Sequence, residues 1–194
     1  MSRNLGPAYL AALVVTGGAV GALAAGNGPL EYLDEETGTT VTAVGQPLLF
    51  ACARPEFANA RDYVTLVAAA VNRSGTITYV MIGYFWSMVD PRLRGSEPAA
   101  VQQLRLQADE RSMELPLQGR SAHDLGIGVP VHRPPLGTGT PYVYDIDLPS
   151  MRFIAASHHL ELHIESNGTL LTYKLFEDRR VALREFVRRV SSED

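Results

Sequence analysis

The residues best suited to chemistry lie in one short stretch near the C-terminus. In residues 158–165 (HHLELHIE), histidines and glutamates alternate with apolar side chains. In a strand, alternate side chains project from one face, and Zn²⁺ or Cu²⁺ would accept imidazole and carboxylate ligands so grouped. The candidate ligands are His159, Glu161, His163 and Glu165. An exposed sheet face with weak His–Glu pairs is the preferred interpretation, because no further element supplies a ligand.

A second group of polar residues lies in residues 119–150, which lack periodicity and contain five glycines and five prolines. So long an irregular segment inside a domain is typical of a functional loop. Ser121, His123 and Asp124 have the residue types of a hydrolase triad, but their local spacing and the absence of a Gly-x-Ser-x-Gly motif favour turn formation. The candidates for lining a ligand cleft are His123, His132, Tyr142, Tyr144 and Asp145.

Two further features concern apolar residues. Tyr84, Trp86 and Met88 share one face of a predicted strand, which indicates core packing unless that face is exposed, in which case it suits a carbohydrate or a peptide. Cys52 is the only cysteine, so the fold contains no internal disulfide. Its apolar neighbours predict a buried thiol rather than a reactive one.

Strand patterns position most of these residues. Alternating, β-branched or apolar runs predict about nine strands, and turn residues 72–75 (NRSG) predict a hairpin between the two longest. The predicted strands are 39–44, 47–53, 61–71, 76–89, 104–108, 113–117, 151–156, 160–164 and 170–176. The fold class is therefore mainly β, either β-sandwich-like or β-rich α+β.

The C-terminus changes to a helical period. Leu183, Phe186, Val187 and Val190 fall on one helical face, which predicts an amphipathic helix over 178–191. Its many arginines are expected on the solvated face, with contact to a partner or to anionic lipid as an alternative.

The N-terminal residues differ in kind from the rest. Arg3, an uncharged apolar run and a small-x-small site at residues 22–24 predict a secretory signal over 1–24. An uncleaved anchor is the alternative, because residues 5–25 are just long enough to span a bilayer. Residues 25–38 suit a polar linker, and 39–194 form a single β-rich domain.

Composition excludes one class of partner. The net charge is −4, the isoelectric point is near 5.7, and no basic cluster is interleaved with aromatic residues. Nucleic acid is therefore not expected as a partner. Either interpretation of the N-terminus directs the rest of the chain outward, so we expect a periplasmic or cell-envelope location, with membrane contact only if the segment is uncleaved.

Residues 31–37 (EYLDEET), 71–75 (VNRSG) and 84–92 (YFWSMVDPR) carry a resemblance. In them the chain resembles uncharacterised exported bacterial proteins, some of which are lipoproteins. The resemblance implies an envelope location and no particular activity. This sequence departs from the lipoprotein form because no cysteine stands at the predicted cleavage site.

Neither a catalytic motif nor a cofactor fingerprint is evident in these patterns. The sequence therefore predicts a non-enzymatic binding or accessory module of the envelope, whose partner is an envelope protein or a small ligand. Three alternatives stay open: a small hydrolase built on 119–150, a metal-handling protein using His159, Glu161 and His163, and a membrane-anchored subunit of an envelope complex.

Overall fold

The computed structural model describes residues 28–57, 60–90, 103–136, 141–166 and 168–192, and these residues contain ten strands and two helices. The strands are β1 (Leu30–Asp34), β2 (Thr39–Ala43), β3 (Leu48–Arg54), β4 (Ala60–Arg73), β5 (Thr76–Ser87), β6 (Gln103–Ala108), β7 (Arg111–Pro116), β8 (Pro141–Asp145), β9 (Leu160–Ser166) and β10 (Thr169–Glu177). The helices are α1 (Leu148–Ala156) and α2 (Arg180–Ser191), and a short 3₁₀ turn covers Pro55–Phe57. The mainly β fold with a C-terminal helix is confirmed.

All ten strands belong to one antiparallel sheet, whereas a sandwich has two. The strand β4 organises this sheet. Its first half pairs with β3, its second half with β2, and its whole length with β5. From β3 the order continues through β10, β9, β6 and β7, while β8 lies on the far side of β5. The hairpin predicted between the two longest strands is thus confirmed as β4 and β5.

The sheet bends until its two ends meet. A bridge between Leu117 and Tyr144, and a 2.7 Å hydrogen bond from the Gln118 N–H to the Val143 carbonyl, join the end of β7 to β8. The path β4–β3–β10–β9–β6–β7–β8–β5 therefore forms an incompletely closed eight-stranded barrel, a size whose interior side chains can fill. Large, fully buried side chains fill it, among them Phe50, Leu66, Met81, Leu104, Leu106, Tyr144, Leu162 and Ile164.

The two helices cover one end of the barrel. Their apolar faces join the same core as the strands. Arg179 Nη1 donates to Gln46 Oε1 between β2 and β3 at 2.5 Å, and the Arg184 Nη1 donates to the Ala155 carbonyl of α1 at 3.0 Å. The opposite end, where β3 ends, β4 begins and β5 ends, is called the far end below.

Two sequence predictions differ from the structure. Residues 151–156 are predicted as a strand but lie in α1, because Asp147 accepts from the Ser150 N–H at 2.8 Å as an N-cap, and Leu148, Met151 and Ile154 bury one helical face. The predicted linker 25–38 contains β1, which pairs with β2 along its full length.

The irregular segment is also shorter than expected, because β8 and the start of α1 lie within 119–150. The signal or anchor predicted over 1–24 lies outside the described residues. In the described residues, neither helix has the length and apolar character needed to cross a membrane.

Candidate binding surface at the far end of the barrel

Aromatic residues from three strands meet on the outer face of the barrel, in a group that extends from the far end to Phe176, which lies opposite the start of β3. Tyr63 of β4 is the direct cross-strand partner of Trp86 on β5 and of Ala51 on β3. Because Ala51 and Ala53 are small, the ring of Tyr63 reaches across β3 to Phe176 of β10. The arrangement depends on small residues on the strand that separates the two rings.

Tyr63 lies at the centre of this group. Its ring stacks on Trp86 with centroids 4.1 Å apart and an angle of 10°, and meets Phe176 edge-on at 5.6 Å and 79°. Its hydroxyl donates to Met88 Sδ at 3.4 Å, and the Arg61 guanidinium lies 5.2 Å from the Phe176 ring centroid. Stacked, edge-on and cation–π contacts thus hold these side chains in fixed orientations.

Exposure distinguishes the outer members from the centre. Tyr63 is only 6% exposed, whereas Phe176 is 49% and Met88 58% exposed. The half-buried Trp86 donates from Nε1 to Thr65 Oγ1 at 3.1 Å, which fixes its ring. The surface formed by Arg61, Tyr63, Trp86, Met88 and Phe176 is called the aromatic surface below.

The inner side of the same strand ends carries polar residues. Asp62 pairs with Ser87 on β5 and with Cys52 on β3, and the β3–β10 register brings Tyr173 next to Cys52. Asp62 accepts from Ser87 Oγ and from Arg54 Nη1, both at 2.5 Å. Its charge is therefore paired although the residue is only 7% exposed, as a buried carboxylate requires.

This inner row is poorly suited to nucleophilic chemistry. Burial and the Asp62 carboxylate raise the pKa of the Cys52 thiol, an effect that Arg54 offsets only in part. The thiol therefore stays protonated at neutral pH, the opposite of an activated nucleophile. Burial and Asp62 likewise raise the pKa of Tyr173, whose hydroxyl has no hydrogen-bond partner in the described part of the chain.

The loop residues with triad chemistry point to different partners. Ser121 Oγ donates to Asp124 Oδ2 at 2.7 Å, within one turn of the loop. His123 Nε2 instead lies 3.2 Å from Glu36 Oε1, in the turn between β1 and β2. The structure therefore places Ser121 and His123 in separate contacts, in agreement with the preferred turn interpretation.

The structure places the five predicted cleft residues in different surroundings. Tyr144 is fully buried in the barrel and Tyr142, two residues earlier on β8, is half-buried with its ring edge-on to another aromatic side chain. Asp145 is exposed and bonds to the Gln118 side chain. His132 packs edge-on against Tyr84 at 5.4 Å, and its burial lowers its pKa.

The strand predicted over 160–164 is confirmed as β9, in which Glu161, His163 and Glu165 alternate with buried apolar residues. Glu161 lies between two histidines, 3.3 Å from His159 Nε2 and 3.9 Å from His163 Nε2, and His163 Nδ1 is 3.2 Å from Thr172 Oγ1. Across the described ranges, no group of three or more His, Cys, Asp or Glu side chains is placed to hold a metal ion. Glu165 is exposed near the C-terminal end of β9.

Sequence patterns indicated only part of the aromatic surface. The sequence places Trp86 and Met88 on one strand face with Tyr84, but Tyr84 is only 3% exposed and so does not contribute to the surface. The contribution of Tyr63 and Phe176 was missed, because nothing in a sequence shows that β3 separates them and carries alanines there.

No protein-family model, curated protein or solved structure matches this chain.

Proposed function

We propose that this protein is a non-enzymatic binding or accessory module of the bacterial cell envelope, and that it docks a partner protein on the aromatic surface. The export features of residues 1–24 support the location. The observation that carries the docking proposal is the clustering of exposed Phe176 and Met88 around the stacked Tyr63–Trp86 pair.

The residue types on this surface support a protein partner. Aromatic residues, methionine and arginine are the types enriched at protein interfaces, and the aromatic surface consists of these types alone. Hot spots are typically Trp, Tyr and Arg side chains held rigidly at the centre of an interface. Trp86 fits that role, because stacking on the buried Tyr63 and the hydrogen bond to Thr65 already fix its ring.

Charge narrows the chemistry of the partner. Arg61 is the basic member of the aromatic surface, on β4. Lys174 lies close to that surface on β10, where it is the cross-strand partner of Ala51. Both side chains belong to exposed residues and bring positive charge to a protein whose net charge is −4. The proposed partner therefore presents an apolar patch edged by carboxylates, which favours correct orientation on encounter.

The docking proposal is tested by site-specific photo-crosslinking in the native host. A photoreactive phenylalanine at Met88 is expected to give one discrete adduct with an envelope protein. The same residue at Val129, which is similarly exposed but lies on another loop, is the control and should not give that adduct. Adducts of the same protein at both positions would contradict docking at the aromatic surface.

Binding of the purified crosslinked protein then measures the contribution of the surface. Trp86 is the only tryptophan, so its fluorescence reports directly on docking in the wild-type chain. Phe176→Ala is expected to weaken binding by about tenfold or more, as for an interface anchor, whereas Val129→Ala leaves it unchanged. An unchanged affinity in Phe176→Ala would reject the proposal, provided that circular dichroism shows the variant folded.

A second copy of the chain is the rival occupant. Light scattering after gel filtration distinguishes the two, because self-docking gives a dimer that Phe176→Ala dissociates. The intact mass of the natively expressed protein is the companion measurement. A mass beginning near Ala25 indicates release after cleavage, and a retained Met1 indicates a membrane-anchored subunit.

A further inference from the structure

The barrel has one incomplete joint, between β7 and β8. These strands meet at the Leu117–Tyr144 bridge and the hydrogen bond from Gln118 to Val143, beyond the end of β7 itself. Along Arg111–Pro116, β7 pairs only with β6 in the described structure. The edges of β7 and β8 that face each other are called the seam below.

Backbone alternation identifies which groups face the seam. Asp109 lies in the turn after β6, and its N–H donates to the His159 carbonyl, just before β9. The backbone N–H and C=O groups of every second residue before Asp109, such as Gln107 and Arg105, therefore also face β9. The remaining β6 residues bond to β7 through Arg111, Met113 and Leu115. The N–H and C=O groups of Ser112 and Glu114 therefore point into the seam, on the same side as the Gln118 N–H that bonds to Val143.

The seam is a cleft rather than a closed contact. It is open to solvent and has a volume of about 500 Å³. Its walls come from both strand edges and from the start of α1. The lining residues are Arg111, Ser112, Met113, Glu114, Leu115, Asp145, Ile146, Asp147 and Ser150.

The residues that line the cleft determine its charge and the hydrogen-bonding groups that it offers. Glu114, Asp145 and Asp147 bring three carboxylates to the cleft, whereas Arg111 is the one basic residue in its lining. The Glu114 carboxylate also pairs with Arg105 of β6 at 3.1 Å, so Asp145 and Asp147 supply the carboxylates that no described arginine pairs at the cleft. Pro116 ends the strand and has no N–H, and the Gln118 N–H already bonds to Val143, so the donors left for a ligand are the N–H groups of Ser112 and Glu114. A cleft of this kind favours a ligand that carries positive charge and backbone hydrogen-bonding groups.

We infer that the seam binds an extended, basic peptide segment of a partner protein by strand addition. The peptide would exchange hydrogen bonds with Ser112 and Glu114 on one side, as a strand does at a free sheet edge. Its lysine or arginine side chains would face the acidic lining of the cleft. The inference goes beyond docking at the aromatic surface, which lies on other strands and uses side chains instead of backbone groups.

The probe is a fluorescein-labelled peptide, Lys-Thr-Val-Thr-Val-Lys, with the lysines replaced by glutamates in the control peptide. Fluorescence anisotropy with the full chain is expected to show saturable binding of the lysine peptide, and binding at least about tenfold weaker for the glutamate peptide. Hydrogen exchange of the Ser112 and Glu114 amides should slow when the lysine peptide is bound. Absence of saturable binding, or equal binding of both peptides, would overturn the inference.

The variant Ser112→Pro removes one N–H that faces the seam without removing a β6–β7 hydrogen bond. It is expected to weaken binding of the lysine peptide by about tenfold, the equivalent of about 1.4 kcal/mol, while Ser112→Ala leaves binding unchanged. If Ser112→Pro does not fold, Glu114→Pro is compared with Glu114→Ala, which removes the same carboxylate but keeps the N–H. Equal loss in Ser112→Pro and Ser112→Ala would show that the side chain, not the backbone edge, binds the peptide.

The aromatic surface and the seam can be separated experimentally. Phe176→Ala should retain full binding of the lysine peptide, and Ser112→Pro should retain the partner found by crosslinking at Met88. A concentration-dependent dimer that Ser112→Pro dissociates would instead identify a second copy at the seam and reject the peptide.

Discussion

At the scale of single residues, Asp34 shows how one carboxylate fastens two distant parts of the chain. Its Oδ1 accepts from the N–H groups of Glu36 and Thr37, both at 3.2 Å, and its Oδ2 accepts from Gly128 at 2.8 Å and Val129 at 3.1 Å. The turn between β1 and β2 is thus tied to the loop after β7. Sequence patterns place Asp34 in a linker, because the two partners that tie it to the fold, Gly128 and Val129, are more than 90 residues away.

This tie should give the protein an acid-sensitive contribution to stability. Burial alone would raise the pKa of Asp34, but the hydrogen bonds from Val129, Thr37 and Gly128 lower it below its usual value. A carboxylate with a lowered folded-state pKa stabilises the fold above its unfolded pKa and loses that contribution as the pH falls through the folded value. The melting temperature of wild type should therefore fall more steeply than that of Asp34→Asn below about pH 4. Parallel melting curves for the two proteins would contradict this assignment.

Two tyrosines provide a test of hydrogen-bond satisfaction. The buried Tyr173 hydroxyl has no hydrogen-bond partner in the described chain, whereas the half-buried Tyr32 hydroxyl donates to the Val129 carbonyl at 3.1 Å. Removing an unsatisfied buried hydroxyl relieves its desolvation penalty, so Tyr173→Phe should raise the free energy of unfolding by about 1 kcal/mol. Tyr32→Phe should lower it by about 1 kcal/mol, because it removes the hydrogen bond to Val129. Urea denaturation of both variants measures the difference, and destabilisation by Tyr173→Phe would point to a buried water at that hydroxyl.

At the scale of elements, local signals succeeded where turns and caps are encoded by neighbouring residues. The turn between β4 and β5 has Ser74 and Gly75 at positive φ, and Gly75 N–H donates to Asn72 Oδ1 at 2.9 Å. These residues form a turn whatever surrounds them. The strand predicted over 151–156 failed because a short apolar segment suits either period, and the Asp147 cap and tertiary packing decided for a helix.

The helix α2 should depend on its buried face alone. Phe186 is fully buried in the core, while Val181 on the opposite face is 51% exposed. We expect Phe186→Ala to lower the free energy of unfolding by about 3–5 kcal/mol, and Val181→Ala to change it by less than about 0.5 kcal/mol. Chemical denaturation compares the two variants. A small loss in Phe186→Ala would mean that α2 is not part of the cooperative core.

At the scale of the whole molecule, β1 belongs to the fold although it precedes the predicted domain start. It pairs with β2 from Leu30 to Asp34, and Arg189 of α2 bonds to Glu31 at 2.8 Å. A chain beginning at Gly26 should therefore melt as the full-length protein does, whereas one beginning at Thr39 should melt at a clearly lower temperature. Calorimetry measures both, and equal melting temperatures would show that β1 is dispensable.

The sequence by itself determined the features that follow from local chemistry and hydrophobic period. These include the mainly β class, the central hairpin, the C-terminal helix and the outer face of β9. Only the tertiary structure decided the branching of strands at β4, the aromatic contact of Tyr63 with Phe176 and the incomplete seam beside Ser112. The reason is physical: periodicity states which way a side chain faces along its own strand, whereas neighbouring strands are chosen by packing between segments far apart in the chain.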